Sequence, residues 1–210
     1  MNFISRFFGI YFRPQKTCRY LAQNPVWIDT LIVLLITLLA FAYAFVPYTR
    51  MVEGISNPSR WVILTRAILW THLYLLGFLV SSLVLLFMGR VVSKGGHYSQ
   101  VFSVYIHAQL IDKILGNAVR LFLLLRHKSL CRATTSLAVF VPDLDAHSLG
   151  YAVAIQFDLF QLWLFAALGF GLAAIFQMHT IQALRVAFGF WLLKSLFNIG
   201  LIMLDVGFIH

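Results

Sequence analysis

The chain has 210 residues, of which 61% are hydrophobic and 11% charged, and it carries a formal net charge of +9. About a quarter of the residues of a soluble domain are charged, so water is excluded as the solvent for most of this protein's surface. Its cations flank or interrupt apolar runs and form no solvated basic patch. That placement excludes nucleic acid as a partner and leaves anionic lipid headgroups as the counter-charge.

Residues 1–25 form a basic, amphipathic opening segment. Phe3, Ile4, Phe7, Phe8 and Tyr11 recur at helical spacing, with Arg6 and Arg13 beside them. This pattern describes a short helix in the inner headgroup layer, with Phe3, Phe7 and Phe8 at the lipid boundary and Arg6 and Arg13 facing anionic headgroups. Pro14 ends that helix, Gln15 to Gln23 restarts as a second one, and Asn24-Pro25 turns the chain into the bilayer. Arg6 and Arg13 interrupt the apolar run and no small-residue cleavage site follows, so a signal peptide is not expected.

Residues 26–210 form the membrane domain. A hydrocarbon core of about 30 Å needs about 20 apolar residues at 1.5 Å per residue. Five runs meet that length: Trp27 to Val46, Ile68 to Met88, Val101 to Leu125, Leu149 to Met178 and Ile181 to Val206. The expected fold is therefore all-α and polytopic, with five transmembrane helices and a short N-terminal interfacial helix. Arg6, Arg13, Lys16, Arg19, Arg90, Lys94 and Arg185 fall on one face, against Arg50, Arg60, Arg66, Arg126, Lys128 and Arg132 on the other. The four N-terminal cations adjoin the first span, which usually dominates insertion, so the N-terminus is expected inside and the C-terminus outside. Cys18 and Cys131 then lie on opposite faces and cannot pair within one chain.

Between the third and fourth runs, Ser136 to Pro142 is apolar and uncharged. It is expected to dip into the outer headgroup layer or to dock on another subunit, with Pro142 and Asp143 turning the chain into the fourth helix.

Charges inside the runs are the informative polar residues, because each costs roughly 2.5–3.5 kcal/mol at the bilayer centre on insertion scales unless paired or hydrated. They are Asp112, Lys113, Arg120, Asp158 and Lys194. Tyr105, Gln109, Asp112, Gly116 and Arg120 fall within an arc of about 80° on the third helix, so that face should look into the bundle. At 1.5 Å per residue, Asp112 and Lys194 both stand roughly 17–20 Å from the inner end and are expected to pair. Arg120 and Asp158 are expected to form a second pair nearer the outer face. Such pairs either neutralise each other and set helix register, or belong to a proton or ion pathway.

No catalytic, cofactor or metal site is evident. His72, His97, His107 and His179 lack ligand spacing. His-Glu-x-x-His, Gly-x-Ser-x-Gly and Cys-x-x-Cys motifs are absent, and Glu53 is the only glutamate.

Phe12-Arg13-Pro14-Gln15-Lys16-Thr17, followed by Ala22 and Pro25-Val26-Trp27, resembles the opening of prokaryotic members of the Yip-one family, five-helix membrane proteins named for Ypt/Rab-interacting partners. Gly89-Arg90, then Gly95-Gly96-His97-Tyr98-Ser99-Gln100 and Tyr105, is similar to the family's paired-glycine loop and third helix. Phe160, Trp163, Gly169 and Gly171-Leu172 resemble its aromatic-then-glycine fourth helix. Two features depart from that pattern. Gln109 stands where members often have a proline, which removes the expected source of a kink in helix three. Only residues 1–25 precede the first span, where eukaryotic members carry a long cytosolic region, so Rab-type GTPase binding is not carried over. The resemblance implies a prokaryotic inner-membrane protein with no assigned chemistry.

The expected function is a non-catalytic organiser, adaptor or accessory subunit of a membrane assembly, acting through lateral helix contacts. Its partners would be anionic lipids at the inner face and other membrane subunits. The alternative is a component of a small-solute or ion permease that uses the buried charges of helices three to five.

Overall fold

The computed structural model describes residues 1–52, 59–127, 133–141, 145 and 148–204. In chain order the helices are α1 (Phe3–Phe12), α2 (Pro14–Gln23), α3 (Ile28–Val52), α4 (Arg60–Val92) and α5 (Tyr98–Leu110). A π-helical turn (Ile111–Gly116), α6 (Asn117–His127), α7 (Leu149–Ala154), α8 (Leu159–Phe176) and α9 (Thr180–Met203) follow. Four of these, α3, α4, α8 and α9, are long and apolar enough to cross a bilayer. The chain is thus an all-α, polytopic membrane protein.

The third and fourth apolar runs both depart from uninterrupted α-helix. The third stays helical from Tyr98 to His127, but its centre widens into the π turn. The fourth breaks: α7 ends at Ala154, and Asp158, with extended backbone (φ −94°, ψ 134°), opens α8 as its N-cap. Aspartate favours that position because its carboxylate accepts from N–H groups that have no partner within the helix.

Helix α8 lies at the centre. Phe165, Leu168, Leu172 and Phe176 are buried there, whereas α3, α4 and α9 leave most of their surface outside. At its C-terminal end Phe176 is clamped by the α4–α5 turn. Gly95 and Gly96 take φ of +118° and +71°, conformations open to residues without Cβ. Arg90 donates to both their carbonyl oxygens (3.4 and 3.0 Å), and Ser93 Oγ donates to the Phe176 carbonyl (2.8 Å).

The N-terminal segment keeps one face of α1 at the surface and packs the other against the bundle. Helices α1 and α2 fold back on one another, and Ile10, Cys18, Leu21 and Ala22 join the same core as α5 and α8. The Tyr11 hydroxyl donates to the Leu110 carbonyl (2.9 Å), at the entrance to the π turn. Rings step inward from Phe3 to Phe7 to Tyr11 to Trp163. Phe3 and Phe7 are half-buried, Phe8 and Arg13 exposed.

Arg6 departs most from the headgroup role expected of it. It is 5% exposed, pairs with Asp29 in the first turn of α3, and donates to the Met1 carbonyl (3.0 Å). A buried guanidinium requires a carboxylate, and Asp29 is further favoured by the helix N-terminus on which it sits. The outward stripe of α1 is instead apolar, Ile4, Phe8 and Phe12 at i, i+4, i+8.

In the loop before α7, Leu137–Phe140 forms a single 3₁₀ turn whose Ala138 is buried while Leu137, Val139 and Phe140 face outward. Pro142, Asp143 and Cys131 lie outside the described residues.

Two glycines of α4 provide a matched test. A Cβ on Gly77 would meet nothing within 4 Å, whereas one on Gly89 would stand 2.3 Å from the clamped Phe176 ring. Gly77→Ala should be neutral or stabilising by up to about 1 kcal/mol, and Gly89→Ala should cost about 1–3 kcal/mol through overpacking. Thermal unfolding in mild detergent will separate them.

Burial also pushes the Cys18 thiol up to about 12, with its Sγ 3.4 Å from the Ala167 carbonyl oxygen. In a Cys131→Ser background, maleimide should leave folded protein unlabelled and react after denaturation.

Candidate functional site

The internal charges gather at the π turn. An α-helix sets residues 112 and 120 about 80° apart around its axis. One extra residue taken up by a π turn turns that back by about 100°, leaving the two nearly in line. Long helical side chains lean toward the N-terminus, so Arg120 reaches back to Asp112.

The contacts form one connected network. Arg120 Nη2 bonds Asp112 Oδ1 (2.6 Å) and Asp158 Oδ2 (3.0 Å), Nη1 donates to Asn117 Oδ1 (2.9 Å), and Nε donates to Thr135 Oγ1 (3.2 Å). Asp112 Oδ2 pairs with Lys113 Nζ (2.9 Å), which also lies 4.8 Å from the centre of the Tyr74 ring, a cation–π contact. Asp158 Oδ1 accepts from the backbone N–H groups of Phe160 (2.8 Å) and Gln161 (3.2 Å), while Oδ2 accepts from the Thr135 hydroxyl (2.5 Å). Gly116 makes room, since a Cβ there would meet Asp112 Oδ1 at 3.1 Å and Arg120 Nη1 at 3.3 Å.

Of the four charges expected from the sequence to pair, the structure brings Arg120 and Asp158 together and adds Asp112 to them. It does not pair Asp112 with Lys194. Both Asp112 oxygens are committed to Arg120 and Lys113, and Lys194 Nζ donates instead to Gln161 Oε1 (3.4 Å). Proximity explains the exchange: Lys113 adjoins Asp112 in sequence and the π turn swings Arg120 over it, whereas Lys194 must reach across from α9. Asp158 caps a helix and does not sit within one.

Three partners escaped the sequence reading. Asn117 stands three residues before Arg120, a spacing that faces one helix position toward the other. Thr135 and Gln161 carry no such signal, because loop and inter-helix pairing set their positions.

Four of the five N–H donors of the guanidinium and both oxygens of each carboxylate are engaged, so the cluster offers no free base or nucleophile. His107 is similarly held: Nδ1 donates to the Ser103 carbonyl (2.8 Å) and Nε2 lies 2.9 Å from Thr30 Oγ1. Among the described residues no three His, Cys, Asp or Glu side chains gather as a metal site would require.

These features define a class: an all-helical integral membrane protein whose charges are joined inside the bundle, with an N-terminal helical hairpin packed into its core. Within that class the family is settled by sequence. The Yip1 domain pattern matches residues 8–202, and the chain belongs to that family. No curated protein and no solved structure matches the chain.

Truncating Arg120 would leave Asp158 buried without a cation and Asp112 with Lys113 alone. Arg120→Met should cost about 3–5 kcal/mol, as the loss of one partner of a buried pair does. Lys194→Met removes a single contact to a neutral amide and should cost less than about 1.5 kcal/mol. Unfolding midpoints in detergent measure both.

Proposed function

We propose that this Yip1-domain protein acts without catalysis, as an organiser, adaptor or accessory subunit that engages other membrane proteins through lateral helix contacts. The observation that carries this reading is the outer face of α4. Leu69, Leu73, Leu76, Val80, Leu83 and Phe87 are all exposed there and alternate at steps of four and three. That is the spacing of a helix–helix seam, on a helix that is otherwise peripheral in the bundle. The ion cluster supports the same reading, since its charged groups are engaged with one another.

The proposal includes five crossings, with α5, the π turn and α6 together as the third. Length supports this, because the unbroken run from Tyr98 to His127 exceeds the roughly 20 residues a span needs. The N-terminus lies inside and the C-terminus outside, as the N-terminal cations favour. The motifs shared with prokaryotic members favour the prokaryotic plasma membrane.

Cysteine-free protein with one reporter thiol at Ser99 should label only from inside, and with one at Ser129 only from outside. The opposite pattern overturns the orientation, and labelling of both from one face overturns the crossing number. For the lateral contact, a photo-crosslinker at Leu76 or Leu83 should trap discrete protein adducts in native membranes, and one at buried Leu85 should trap none. Adducts to lipid alone at both outward positions would refute the seam.

A further inference from the structure

A cleft of about 170 Å³ opens between α2 and the inner end of α8. Phe170, Ala173, Ala174 and Met178 line it on one side, Gln15 and Arg19 on the other, and Thr180 of α9 completes the lining. We infer that this cleft is a binding site for one anionic phospholipid, with the phosphate on Arg19 and the first part of an acyl chain against the small residues of α8.

Size narrows the occupant. Pockets for soluble small molecules run to about 300–1,000 Å³, well above this volume. An inorganic anion would fit, but it would leave an apolar floor in contact with water. An amphiphile satisfies both sides, charge at the rim and hydrocarbon on the floor.

Charge sets the sign. Arg19 is exposed and makes no ion pair among the described residues. The carboxylate near α1 is committed to Arg6, and no acidic side chain lines the cleft. The guanidinium fork binds phosphate through two parallel N–H donors. Ala173 and Ala174, both half-exposed, keep the wall between Arg19 and Met178 low, so that a chain can lie along α8.

This inference stands apart from the adaptor reading, since a lipid can occupy the cleft whatever binds α4. Native mass spectrometry of detergent-purified protein, titrated with dioleoylphosphatidylglycerol or dioleoylphosphatidylcholine, tests it. The first lipid should bind about fivefold more tightly when anionic, the effect of one cation at a membrane surface. Arg19→Gln should erase that preference while the unfolding midpoint stays put. Ala174→Phe, which fills the floor, should weaken binding of both lipids, and Ala173→Leu serves if the larger side chain prevents folding. Equal affinities for the two lipids, a preference that survives Arg19→Gln, or indifference to the filling variants would overturn the site. Displacement of the lipid by millimolar inorganic phosphate would show that the headgroup alone is recognised, and would overturn the role given to the floor.

Discussion

The guanidinium of Arg120 joins three separate parts of the chain. One nitrogen bridges Asp112 in the π turn and Asp158 at the start of α8, and another holds Thr135 in the loop between α6 and α7. Charge in a low-dielectric interior is tolerated only when paired and hydrogen-bonded. Three otherwise independent local features, a widened helical turn, a broken helix and a folded-back loop, therefore coincide around one side chain. The loop's pairing follows the same centre, with Leu159 N–H donating to the Thr135 carbonyl and Leu137 N–H to that of Phe157.

A second ion pair organises the opposite end. Arg6 meets Asp29 where α1 crosses the start of α3, which turns the polar residue of an amphipathic helix inward and its Ile4, Phe8 and Phe12 stripe outward. The hairpin of α1 and α2 is thereby part of the bundle, with Tyr11 reaching the carbonyl that precedes the π turn. The two ion-paired sites are linked through α5, along which Ser103, His107 and Leu110 bond in succession to the α2–α3 turn, to α3 and to α1.

Polar groups within the bundle are thus used to define register. Apolar side chains in lipid lack the solvent contrast that selects one packing in water, so close approach and interhelical hydrogen bonds carry more of the choice. Glycines act in the same direction. Gly171 lies against Val104 and Gly169 against Leu184 with no room for a Cβ, which draws α5 and α9 onto the central α8.

Hydropathy alone was sufficient for the membrane class and for the placement of most helices, because the roughly 20-residue requirement of the bilayer is a property of composition and length. The polar stripe from Tyr105 to Arg120 was legible for a related reason, since helical periodicity places those residues on one inward face before any neighbour is known. Family motifs were likewise legible as local residue patterns. What the sequence left undetermined was the identity of each charge's partner. Asp112 had Lys194 at matching depth, yet depth is one coordinate, and the π turn changed the azimuth that decided for Arg120. Arg6 had the periodicity of a headgroup residue, but Asp29, separated from it by two turns of chain, drew it inward. The break point in the fourth run was hidden as well, because an aspartate in an apolar run can cap a helix or meet a cation from within one, and the partners of its second oxygen, Arg120 and Thr135, come from other elements. Pairing across elements depends on three-dimensional distance, and only the tertiary structure supplies it.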